Sequence, residues 1–126
     1  MCFDVPRIAF KNSGICFEPL LKEDYKKHPS FYDTENGNNT PATPFFFRRV
    51  RNLYSFCRAN EMLITGCETP KPCDVVFYGR YHISLVSEVH NDGTFNEIEA
   101  APWTVFTVEH KNKKWKPMDV GRLFKN

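Results

Sequence analysis

The second half of the chain alternates. Asp74-Val75-Val76-Phe77-Tyr78 is a run of β-branched and aromatic residues closed by Gly79, and His82 to Val89 is a second apolar run. Asn91-Asp92-Gly93 is a strong turn signal, and Phe95 to Ala100 alternates again. This pattern predicts three sequential antiparallel strands. Thr104 to His110 predicts another strand, Lys111-Asn112-Lys113 a turn, and Trp115 to Phe124 a last edge strand.

The first half follows the helical period. Cys2 to Asn12 predicts a first helix with Val5, Ile8, Ala9 and Phe10 as its buried stripe, stopped at Ser13-Gly14. Pro6 tells against a start at Cys2 and favours a later start or a bend. A short second helix is expected around Pro19 to Lys27, with Leu20, Leu21 and Tyr25 inward. Asp33 to Pro44 is dense in turn formers and predicts an exposed loop. Phe45 to Asn60 predicts the clearest helix, with Val50, Leu53, Tyr54 and Cys57 at helical spacing, and Phe46, Phe47 and Phe56 widening the apolar side. Glu61 to Lys71 is left as a connection. Helices followed by an antiparallel sheet make an α+β domain.

Composition narrows the function classes. A chain of 126 residues with 41% hydrophobic content and 12 Phe is one packed domain rather than a disordered segment. A formal net charge of +2 is too small to indicate a nucleic-acid partner, so the lysines at 111, 113, 114 and 116 read as a solvated turn. The arginines at 48, 49, 51 and 58 read as a solvated helix face with one or two internal carboxylate partners rather than a site for an acidic ligand. No apolar run is long enough to span a membrane, and the first residues lack the pattern of a secretory signal. The chain is therefore expected either to stay in the cytoplasm or to be a mature or truncated domain, and to be monomeric.

Five cysteines are present, so any intramolecular disulfide scheme leaves at least one thiol free. Cys67 and Cys73 flank a loop and could be bridged or bind metal. Their spacing, and that of His82 and His90, completes no usual zinc pattern, so they read as reduced loop thiols and no metal or other cofactor is expected.

Two polar residues stand out in the strands. His82 opens the second, and Glu99 lies in the third between Ile98 and Ala100, so the two can lie side by side on one face. Glu97 would take that place if the register slipped by two. A carboxylate beside an imidazole fixes its tautomer and stabilises its protonated form. The nucleophile for such a pair would be Cys2, placed at a helix N-terminus where the dipole favours thiolate. Cys16, after a glycine between apolar neighbours, is the rival and suits a small buried hydrophobe better.

Cys2-x-Asp4-Val5, Gly14-Ile15 followed by Leu20 and Glu23-Asp24, Arg48-Arg49-Val50-x-Asn52-Leu53, Asp74-Val75-Val76 and His82-Ile83-x-Leu85-Val86-Ser87 occur in one order. That series, covering nearly the whole chain, resembles a bacterial family of unknown function among the NlpC-type, papain-like cysteine hydrolases. The resemblance implies a papain-like domain over residues 1–126, with Cys2 as nucleophile, His82 as base and Glu99 as the group that orients His82. It implies amide cleavage in peptidoglycan stem peptides or another peptide, and a periplasmic or exported location if the cell wall is the target. The resembled family usually has a glycine where this chain has Cys73. Two alternatives stay open: an inactive binding module of the same fold, and a Cys-dependent acyltransferase or deamidase acting on a protein or lipid.

Overall fold

The computed structural model describes residues 4–12, 14–79, 82–100 and 107–124. Helix α1 spans Asp4–Asn12, so Pro6 falls in the first turn, where a helix has no use for the missing N–H. Its inward face keeps Phe10 of the predicted stripe but not Ile8. Phe10 is buried between Phe17 and Phe124, and this ring sets the roll of the helix. Ile8, two residues away on a helix of about 100° per residue, turns outward and is exposed. Cys2 and Ser13 lie outside the described residues.

Helix α2 spans Phe17–Lys27, with Leu21 buried and Tyr25 half-buried, while Leu20 is exposed. Phe17, Leu21 and Asp24 instead form its inward face at helical spacing. Asp24 is buried because three groups satisfy it: the Tyr32 hydroxyl at 2.6 Å, His28 Nδ1 at 2.8 Å and the Asn60 amide at 2.8 Å.

The predicted long helix is broken. A single 3₁₀ turn, Phe46–Arg48, precedes α3 at Val50–Ala59, and Arg49 between them is extended. The break lets Asn52 reach back to the Phe46 carbonyl at 2.9 Å and pair amide to amide with Asn39. The preceding loop is correspondingly less exposed than its composition suggests, since Asn39 is buried. Glu35, in the same loop, accepts from both Arg49 and Arg51. It is the internal carboxylate partner expected for the arginine face.

Six strands make one antiparallel sheet: β1 Leu63–Cys67, β2 Val75–Tyr78, β3 His82–Val89, β4 Thr94–Ala100, β5 Thr107–Lys114 and β6 Met118–Gly121. β1 occupies the segment expected to be a connection. Residues 104–106, the start of the predicted fourth strand, lie outside the described residues. Lys111-Asn112-Lys113 does not turn the chain but continues β5 through a bulge, with Asn112 at φ 56°. β6 is not an edge strand either. The order is β1-β6-β2-β3-β4-β5, so β6 is inserted between β1 and β2. Gly121 permits that insertion, because a Cβ there would come within 2.8 Å of Cys57 Sγ.

This order forces the sheet to curl. β5 and β6 are sixth and second in the order, about 19 Å apart in a flat sheet at ~4.8 Å per strand. The connection from Lys114 to Met118 reaches at most about 14 Å. The sheet therefore rolls into an open barrel. Inside it Val76, Val86, Phe95 and Val120 form one core, closed by Trp115, whose indole N–H reaches the Cys67 carbonyl at 2.9 Å. The helices cover the outer face, where Phe10, Phe17, Leu21, Phe46, Leu53 and Phe56 pack on Val75, Phe77 and Ile83. No helix among the described residues is long and apolar enough to cross a membrane.

Candidate functional site

Strand alternation decides which face each polar residue takes. In β3, Ile83 packs with the helices, so His82 and Ser84 point into the barrel with Val86. The pairing of Tyr78 with His82 confirms the side, since Tyr78 packs against the inner core. In β4, Val86 pairs with Glu97, and Glu97 and Glu99 therefore share that face.

The register puts Glu99, not Glu97, beside His82. Glu99 Oε2 lies 2.6 Å from His82 Nε2, and Glu99 Oε1 lies 2.7 Å from His110 Nε2 on β5. Burial raises the Glu99 pKa, but the hydrogen bonds from His82 and His110 outweigh it and hold the carboxyl below its ordinary value. His82 Nδ1 makes no hydrogen bond among the described residues. The cluster sits at the barrel end where β3 begins and β4 ends.

Glu97, two residues away, is organised differently. It is fully buried and accepts from the Tyr78 hydroxyl at 2.6 Å, from Ser84 and from the Lys113 ammonium. Burial, reinforced by the hydrogen bond to Glu97, raises the Tyr78 pKa, so Tyr78 stays a neutral donor. Every contact that Glu97 makes is to a fixed donor of the sheet.

Cys2, the expected nucleophile, lies outside the described residues. Helix α1, which follows it, packs against β3 and β4, the strands that carry His82 and Glu99. α1 lies on the outer face, whereas His82 faces inward. The remaining cysteines are all free thiols, so Cys67 and Cys73 are not bridged. Cys16 is exposed at the N-cap of α2 rather than buried, and lines a cavity of about 550 Å³ with Lys11 and Phe47. Cys57 is buried, and desolvation pushes its thiol up to about 12. Cys73 has φ 75°, a left-handed conformation that a glycine adopts without strain. Among the described residues no group of three metal-ligating side chains is placed to hold an ion.

A second cavity, of about 580 Å³, opens on the helical face between α3, β2 and the loop before α3. Phe31, Tyr54 and Phe77 wall it, with Arg51, Arg58 and Asp119 at its polar edges. It does not include His82 or Glu99, but it extends to Gly79, in the turn between β2 and β3.

The pattern along the chain puts His110, Tyr78 and Ser84 in strands and Lys113 in a turn, but assigns none of them to the site. The alternation Val108, His110 was available as a signal. It places His110 on one face of β5 but does not say which strand neighbours it.

The chain belongs to a family described as a domain of unknown function, DUF1287, whose family model matches residues 1–119. No curated protein and no solved structure matches it.

Proposed function

We propose that this DUF1287 domain is a cysteine hydrolase of the NlpC-type, papain-like kind, cleaving an amide bond with Cys2, His82 and Glu99. The observation that carries the reading is the 2.6 Å contact of His82 Nε2 with Glu99, which leaves Nδ1 as the basic nitrogen. The contact of α1 with β3 and β4 supports it, because that helix follows Cys2 directly.

In this mechanism His82 Nδ1 takes the Cys2 thiol proton, and Glu99 stabilises the resulting imidazolium. The thiolate attacks the amide carbonyl, and His82 returns the proton to the leaving amine as the C–N bond breaks. A water, deprotonated by the now neutral His82, then hydrolyses the thioester and restores the thiol. A stem peptide of peptidoglycan is the proposed substrate, acted on in the periplasm or outside the cell.

One observation favours a second reading. His82 faces the inside of the barrel while α1 packs on the outside, the arrangement expected of a binding module that kept the fold without the chemistry. Alkylation separates the two. In the hydrolase, a limiting thiol reagent at neutral pH labels Cys2 ahead of the exposed Cys16 and Cys73, and His82→Ala slows that labelling by on the order of a hundredfold. Equal labelling of Cys2 in wild type and His82→Ala would overturn the hydrolase and leave the binding module. New amines released from purified peptidoglycan then identify the cell-wall substrate against an acyltransferase or deamidase.

A further inference from the structure

We infer that His110 is a positioning residue for the proposed site, acting on His82 through Glu99. The inference rests on the hydrolase reading for its functional consequence but on geometry for its existence. Glu99 divides its two oxygens, Oε2 to His82 at 2.6 Å and Oε1 to His110 at 2.7 Å. A Glu side chain has three rotatable bonds, and a single contact to His82 would leave the carboxylate free to swing about that bond. The second contact, from the next strand, fixes its plane.

The surroundings leave that task to His110. Lys113 and Tyr78, the other donors on this face, are committed to Glu97. Ser84, between His82 and Val86 on β3, also donates to Glu97. Thus, among the described residues, His110 is the one side chain besides His82 that donates to the Glu99 carboxylate. Its ring is less buried than the carboxylate it holds, with side-chain exposures of 41% and 14%. Because a carboxylate only accepts, the contact makes His110 Nε2–H the donor, and it holds Glu99 Oε1 from the neighbouring strand.

The test reads the His82 ring directly. In the full chain, nitrogen-detected NMR of histidine side chains is expected to show a protected Nε2–H on His82. His110→Ala is expected to lose that signal and to slow Cys2 alkylation by on the order of tenfold, the scale at which groups behind a working imidazole act. His110→Gln, whose amide reaches the same oxygen, restores both. If alanine opens β5, His110→Asn, whose amide stops short of Oε1, repeats the measurement in a folded chain. A His82 Nε2–H that persists unchanged in folded His110→Ala or His110→Asn overturns the inference. If that signal is lost while Cys2 alkylation ignores His82→Ala, positioning by His110 stands and the hydrolase reading falls.

Discussion

Glu97 and Glu99 are two residues apart on one strand and point the same way, yet their surroundings differ in kind. Glu97 is sealed inside the barrel by a phenol, a hydroxyl and an ammonium, none of which serves any other carboxylate. Glu99 sits at the barrel mouth between two imidazoles, side chains that can donate from one ring nitrogen while the other accepts. Fixed donors make a carboxylate part of the scaffold. Titratable donors at an open end make it available for proton chemistry.

Stability separates the two most sharply. Glu97→Ala leaves Lys113 and Tyr78 without their partner inside the sheet, and is expected to lose on the order of 3 kcal/mol in urea unfolding. Glu99→Gln is expected to lose less than about 1 kcal/mol, because its imidazole partners are partly solvated. Equal losses would erase the distinction between scaffold and site.

A smaller effect comes from acid. The folded-state pKa of Glu99 lies below its ordinary value of 4.5, so its contribution to stability is present above that value and lost as pH falls through the folded pKa. The stability difference between wild type and Glu99→Gln should therefore shrink as pH falls below about 4.5. A difference that widens in acid would mean the carboxyl is raised, not lowered, by its neighbours.

The smallest effect lies outside both carboxylates and sets the background for them. Cys73 adopts a left-handed backbone at φ 75°. Cys73→Gly removes the Cβ penalty and is expected to stabilise the fold by about 0.5–1 kcal/mol, net of the extra chain entropy of glycine. A loss of stability would show that the thiol itself contributes a contact.

His82 and Glu99 were legible as a candidate pair, but a bulge between Val86 and Glu88 that the sequence does not announce is what brings them onto one face. His110 was not, because its partner depends on the β4–β5 register, which a bulge near Asn112 shifts. The helix order was legible, but the roll of α1 was not, since Ile8 and Phe10 compete for the core and only Phe124, from the far end of the chain, decides between them. β1 was missed because Leu63-Ile64-Thr65-Gly66-Cys67 is short and interrupted by glycine. β6 reads as an edge strand because alternation reports a half-buried ribbon and is silent on how many neighbours it has.

The place of β6 has a consequence for synthesis. Ribosomes deliver Met118–Gly121 after the other five strands, yet this segment fills the gap between β1 and β2. Until it emerges, β2 is unpaired along one side and β1 along both, a template for joining other chains. A nascent chain stalled before Met118 should therefore be a chaperone client, and a frameshift late in the reading frame should yield aggregates rather than a shortened working protein.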